Sequence, residues 1–240
     1  VREHLVETPL PEGPAGPALR VMTWNIHGAV GPDRRFDMDR IAAVIRRHAP
    51  DLLAVQEIEG RGRNADVLAW LAGSHGHRAD AHTITAPDGA YGHALFSRWA
   101  LSDVVIHDVR VAGREPRSVI EATAATPAGP VHVLAAHLGL SPAERRRQIR
   151  RIAGLVRARS DMTSVVLGDF NDWTPVGHVR RTLAALLPER TRLATFPSWM
   201  PRLRLDRIHC RAPARILAAW TDFDARFGSD HLPVIADLRL

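Results

Sequence analysis

Short apolar runs that end abruptly in polar residues recur along this 240-residue chain, and they restrict its fold more than any other feature. "LRVMTWN", "DLLAVQE", "PVHVLAAH" and "TSVVLGD" have the length and composition of strands. Between them lie helical patterns. "DMDRIAAVIRRH" sets Ile41, Val44 and Ile45 on one face, and "NADVLAWLAG" reads as a helix capped by Asn64. "SPAERRRQIRRIAGLVRAR" opens with a capping box, Ser141 and Glu144, and Pro142 in the first helical position. Residues 176–187 also read as a helix. In mid-chain the period changes. "YGHALFSR", "ALSDVVIHDVRV", "RSVIEATAAT" and "PVHVLAAH" follow one another as strands joined by short turns, and "LRLDRIHC" and "LPVIADLRL" are late strands. Early strand–helix–strand units plus a run of consecutive strands point to one α/β domain with mixed sheets over 19–240. It is preceded by a Pro-, Gly- and Glu-rich arm over 1–18.

The polar ends of the strands carry the chemistry. "VMTWNIHG" ends in Asn25 and His27, "LLAVQEIE" in Gln56 and Glu57, "HVLAAHLG" in His137, and "VVLGDFND" in Asp169, Asn171 and Asp172. "RLRLDRIH" carries Asp206 in an otherwise apolar strand, and "GSDHLPV" sets Asp230 and His231 just before the last one. Taken singly, each is an ordinary turn or surface residue. Gathered at one edge of a sheet, where α/β proteins build their sites, they form one constellation. Its oxygen donors suit a hard divalent cation, Mg²⁺ or Mn²⁺, better than zinc. No HExxH helix, P-loop or G-x-S-x-G elbow is present, which sets aside zinc peptidase, P-loop NTPase and serine-esterase chemistry. Hydrolysis of a phosphate ester fits what remains.

The set "TWNIHG", "LLAVQE", "YGHALFSR", "AAHL", "LGDFND", "LDRIHC" and "SDHLPV" occurs in that order over residues 20–240. It resembles the endonuclease/exonuclease/phosphatase superfamily, which includes deoxyribonuclease I. The resemblance implies a four-layer α/β sandwich, with two mixed β-sheets face to face, helices outside and the site at one sheet edge. It also implies roles. Glu57 is the principal metal ligand and Asp230 completes the metal shell. Asn25 positions the metal shell or the phosphate. Asp169 orients and activates the attacking water. Asn171 holds a phosphate oxygen or a second cation, and His137 hydrogen-bonds the phosphoryl group. Asp206 orients His231, whose imidazole favours its protonated form beside a carboxylate. Arg117 is the expected phosphate-contacting arginine. The chain departs from family patterns at His27, where abasic-site enzymes carry Asp, and at His93, where many relatives carry Asn.

The substrate is less legible. Net charge is +6 with every basic side chain an arginine, a balance that favours anionic partners. Aromatics are only 5%, which leaves "TFPSWMPRLRLD", with Trp199 and Met200, as the best candidate for stacking on a base or touching a lipid. The arginines of 142–159 read as the solvated face of an amphipathic helix. The expected activity is that of a phosphodiesterase or nuclease. A hydrolase of phospholipid headgroups or small phosphate esters is the alternative, and a non-catalytic phosphate-binding scaffold is a third reading. Cys210 is the only cysteine and no apolar run approaches the roughly 20 residues of a membrane span. The expectation is a cytoplasmic monomer.

Overall fold

The computed structural model describes residues 18–61, 75–174 and 177–240. The arm expected at 1–18, apart from Ala18, and the helix read from "NADVLAWLAG" lie outside the described residues. The elements in chain order are β1 (Ala18–Asn25), α1 (Met38–His48), β2 (Leu52–Glu59), β3 (His77–Ala86), β4 (Gly89–Ser97), β5 (Leu101–Asp108), β6 (Ser118–Thr126) and β7 (Gly129–His137). There follow α2 (Pro142–Ala158), β8 (Thr163–Asp169), α3 (His178–Leu186), β9 (Glu189–Arg190), β10 (Asp206–Cys210), β11 (Arg215–Trp220) and β12 (Val234–Arg239).

The strands form two six-stranded sheets, ordered β11-β12-β1-β2-β4-β3 and β5-β6-β7-β8-β10-β9. Each sheet is mixed. One central pair is parallel, β1 with β2 in the first and β7 with β8 in the second, and the neighbouring pairs are antiparallel. A parallel pair needs a crossover, and α1 and α2 supply it. The caps that start these helices are those their sequences announce. Asp37 accepts from the Arg40 amide, and Ser141 and Glu144 complete a reciprocal capping box.

Three apolar clusters explain why the central strands lack polar alternation. Between the sheets, Val21, Leu52, Leu95, Ile120, Val133, Val165, Leu167 and Ile208 interdigitate, with Ala54, Ala122 and Ala135 among them. On the outer face of the first sheet, Met22, Trp24, Leu53 and Val55 pack against Ile41, Val44 and Ile45 of α1. On the outer face of the second, Leu134 and Val166 pack against Ile149, Ile152 and Val156 of α2 and Val179 and Leu183 of α3. A strand covered on both faces is apolar at every position, and four layers follow.

The strands that the sequence patterns miss are β3, β9 and β11, and all three lie at sheet edges. Edge strands are short or carry exposed polar side chains, as β3 does at His77, Arg78 and His82, so their hydrophobic signal is weak. The strand read from "LRLDRIHC" begins only at Asp206; Leu203 instead bridges to Phe196 in the loop before it.

Two backbone features shape the site edge. In β2 the pairing with β4 slips between Val55 and Ile58, and Glu57 takes a left-handed φ of 56°. This bulge turns the Glu57 side chain out of the regular alternation, at a cost of about 1–3 kcal/mol for a non-glycine residue in that region. In β8, Gly168 has φ +145°, and a Cβ there would lie 1.9 Å from the Ala136 carbonyl oxygen of β7. Only glycine lets β8 run so close to β7 immediately before Asp169. Gly168→Ala is expected to lower stability by about 2 kcal/mol or more, read as a lower denaturant midpoint at unchanged slope.

Candidate active site

The parallel pairs place their C-terminal ends at one edge of the sandwich. Asn25 ends β1, Glu57 lies near the end of β2, His137 ends β7 and Asp169 ends β8. β1 packs against β8, so residues of the two sheets meet across the gap. Asn25 makes the connection: its amide donates to Glu57 Oε1 at 2.7 Å and to Asp169 Oδ2 at 3.1 Å. Its own Oδ1 accepts from the His27 backbone at 3.0 Å. The antiparallel register of β10 sets Asp206 opposite Asp169.

Asp169 Oδ2 is the focus. His137 Nε2 lies 3.7 Å away and His231 Nε2 4.0 Å away. The other oxygen, Oδ1, accepts from the Asn171 backbone at 2.9 Å. Asp169 is 1% exposed, and burial first, then the charge of Asp206, raise its acid to about 6.

The two histidines are held in opposite protonation states. His231 Nδ1 donates to Asp206 Oδ2 at 2.8 Å. Burial pulls His231 down most, but the charges of Asp206, Asp169 and Asp230 and the Asp206 hydrogen bond together outweigh it and lift it to about 10. His137 Nδ1 lies 3.3 Å from Arg117 Nη1, and a guanidinium can only donate. The Nδ1 atom of His137 is therefore an acceptor and its proton sits on Nε2, facing Glu57 and Asp169. Burial, followed by the Arg117 charge, keeps this ring far below the usual histidine range, hence neutral.

Nearer solvent, Glu57 Oε2 and Asp230 Oδ1 lie 3.4 and 3.7 Å from His27 Nδ1. Burial would raise the Glu57 acid, but the hydrogen bonds from His27 and Asn25 and the charge of His27 prevail and hold it at about 2. Asp230 Oδ1 is buried without a hydrogen-bond partner. Both carboxylates flank the His27 ring, and oxygen donors of this kind suit a hard divalent cation. Asp169, Asp206 and His231 also offer atoms within 4.8 Å of one another. There, Asp206 and His231 Nδ1 are also engaged with each other.

All the residues expected at the site line or adjoin one cleft of about 500 Å³, whose walls include His27, Glu57, Arg117, His137, Asp169, Asn171, Asp230 and His231. Asn25 and Asp206 stand behind it as hydrogen-bond partners. Arg117 reaches it as a support for His137, paired to Glu115 at 2.9 Å. Asn171 donates its side-chain amide to the Leu138 carbonyl at 2.9 Å. Trp199 and Met200 are exposed and do not line the cleft; Phe196, Leu203 and Leu205 form that wall, with Leu140 and Trp173 among the other apolar lining residues. His93 is buried near the Ser118 hydroxyl, at 3.4 Å. Arg145 also departs from the reading of a solvated helix face: it is 3% exposed, donates to the Leu140 carbonyl at 2.5 Å and lies over the Trp173 ring. Thr195, which donates to Asp206 Oδ2 at 2.6 Å, is a site residue that no motif announces.

The sequence profile described as the Endonuclease/Exonuclease/phosphatase family matches residues 22–231. The uncharacterized protein YbhP of Escherichia coli K12 is 32% identical over 250 aligned positions, covering 93% of this chain and 97% of YbhP. An endonuclease/exonuclease/phosphatase from Beutenbergia cavernae superposes with a TM-score of 0.75 at 28% identity, over 93% of this chain and 72% of that one. The catalytic domain of human Nocturnin with bound sulfate gives 0.71 at 19% identity and 93% of each chain. Zebrafish TDP2 complexed with a single-stranded DNA product gives 0.71 at 17% identity, over 93% and 99%.

Because the Asp169 acid is raised from 3.8 to about 6 in the fold, its ionised form costs stability. That cost is absent below pH 3.8 and complete above about 6. Asp169→Asn is therefore expected to raise the melting temperature at pH 7–8 in chelator-treated buffer, by an amount equivalent to about 3 kcal/mol. The gain should vanish near pH 4, and thermal melts across that range check it.

Proposed function

The chain belongs to the endonuclease/exonuclease/phosphatase family, and from that premise we propose that it is a divalent-metal-dependent phosphodiesterase of the nuclease type. The observation that carries the reading is the surround of Asp169 Oδ2: two histidine Nε2 atoms at 3.7 and 4.0 Å and the Asn25 amide at 3.1 Å. A carboxylate that steers water stands beside the groups that would take up the charge built on phosphate oxygens.

Glu57 and Asp230 would hold Mg²⁺ or Mn²⁺, which when bound supplies positive charge against the phosphate and favours ionisation of water. Asp169 Oδ2 orients the attacking water and accepts its proton. Asn25 keeps that oxygen aimed, and the Asn171 amide ties down the other. His137 presents Nε2–H to a non-bridging oxygen, its tautomer fixed by Arg117. His231 presents a second Nε2–H as an imidazolium whose charge Asp206 stabilises from behind, with the Thr195 hydroxyl donating to the same Asp206 oxygen.

The walls favour a diester. Among the described residues, Arg117 is the only arginine lining the cleft, and it is already engaged by Glu115 and His137. Leu140, Trp173, Phe196, Leu203 and Leu205 offer apolar surface for organic groups on the phosphate. Trp173, 45% exposed, suits stacking on a nucleobase. The same apolar wall, with Leu140 62% exposed, favours as second reading a phospholipid-headgroup hydrolase.

The test is a panel of plasmid DNA, single-stranded oligonucleotides, bis-p-nitrophenyl phosphate and phospholipid vesicles in Mg²⁺ or Mn²⁺, with Asp169→Ala as blank. Turnover of a diester that chelator abolishes is expected; none with any diester or either metal overturns the proposal. His231→Asn should lower kcat by about 10²–10⁴-fold. The pH profile of kcat/KM should fall on its alkaline side as His231 deprotonates near 10, and Asp206→Asn should move that limb toward neutrality.

A further inference from the structure

On the outer face of the second sheet, away from the cleft, the chain builds a second polar cavity. β10 alternates: Asp206 and Ile208 face inward, to His231 and the inter-sheet core. Arg207 faces the other way, under α3. It lines a cavity of about 270 Å³ together with Arg180, Arg190, Thr191, Arg192 and Arg204. Among the described residues, no carboxylate lines this cavity.

Several arginines elsewhere in the fold find acids, although Arg145 instead meets a carbonyl and the Trp173 ring. Arg20 pairs with Asp237, Arg40 with Asp33, Arg47 with Asp222 and Arg61 with Glu59. Among the described residues, none of the cavity arginines makes an ion pair. Arg207 is 3% exposed; its Nη2 donates to the Asp172 carbonyl at 2.6 Å, while its Nη1 is buried with no partner. A buried guanidinium N–H left unmet costs free energy that neither the sheet nor the helix recovers. Arg190 spends Nη1 on the Pro188 carbonyl at 3.1 Å. Arg192 and Arg204 are exposed, so the cavity opens to water. Burial, with like-charge crowding from Arg180 as one of the smaller influences, brings Arg207 down to about 10.

We propose that this cavity is a binding site for a phosphate-type oxyanion, separate from the catalytic cleft, with the buried Arg207 Nη1 at its floor and Arg180, Arg190, Arg192 and Arg204 as its walls. An oxyanion accepts the orphaned N–H and relieves mutual repulsion of the guanidinium groups in one step. The ligand is either a free anion or a phosphoryl group carried on an oligonucleotide. Through the Arg207 hydrogen bond to the Asp172 carbonyl, the site also borders the loop that follows Asp169.

The test is calorimetric titration of the full chain with inorganic phosphate, pyrophosphate or a short single-stranded oligonucleotide, in chelator-containing buffer at fixed ionic strength. Saturable binding of phosphate or pyrophosphate is expected. The surface double variant Arg190→Gln/Arg192→Gln should weaken it about tenfold or more, while His231→Asn, in the other cleft, should leave it unchanged. Arg207→Gln should abolish it, and if that variant fails to fold the surface double variant decides. If the oligonucleotide competes with phosphate for this site, the anion is one carried on a chain; if it does not, the anion is free. Binding insensitive to the arginine variants, binding lost in His231→Asn, or no saturable binding of either inorganic anion overturns the proposal.

Discussion

The Asn25 amide holds the site together. One side chain at the end of β1 donates to Glu57 of its own sheet and to Asp169 of the facing sheet. Two carboxylates are thereby kept close in a buried place where their charges repel. The separation of the sheets, set by the alanine-rich layer between them, fixes the reach of that amide. A wider core would break the bridge and leave Glu57 and Asp169 to separate chemistries. The constellation therefore rests on packing several layers deep, and the acid–base behaviour of its members follows from depth. Asp169 is buried at the floor, where ionisation is costly, whereas Glu57 and Asp230 stand nearer water.

The two histidines show how neighbours outrank residue type. His137 and His231 are both almost fully buried. Burial, reinforced by the guanidinium behind it, keeps His137 neutral, while the carboxylate behind His231 and its acidic neighbours overturn the same burial effect, so the two reach opposite charge states. Each ends with a proton on Nε2, directed at the same side of Asp169. The cleft thus offers two donors of unequal strength to one anionic group, without either histidine having to titrate near neutral pH.

The central strands were legible in the sequence because burial on both faces leaves an unbroken apolar run, and their polar C-terminal residues had no other reason to stop that run so sharply. β3, β9 and β11 were not, because an edge strand loses half its apolar contacts and with them its pattern. At the site, Glu57, His137, Asp169 and His231 could be read from strand ends. Thr195 could not, because a loop threonine has no periodicity and acquires meaning only when folding brings it to Asp206. His27 and Arg117 were visible as residues but not as partners of Glu57 and His137. Arg145 was misread for a physical reason: charge predicts exposure only where no carbonyls and no aromatic ring stand ready to receive a guanidinium.

The strand orders have a temporal meaning. Every strand of the second sheet lies between Leu101 and Cys210, so its partners are near one another in the chain. The first sheet instead pairs β1 with β12, joining Ala18 to Arg239. A chain emerging from the ribosome can complete the second sheet early, while β1 waits for its last neighbour and the alanine layer stays open. His231 arrives just ahead of that closing strand. The cleft is thus assembled only after β12 has been made, and a nascent chain that stops short of it carries the parts of the cleft without their arrangement.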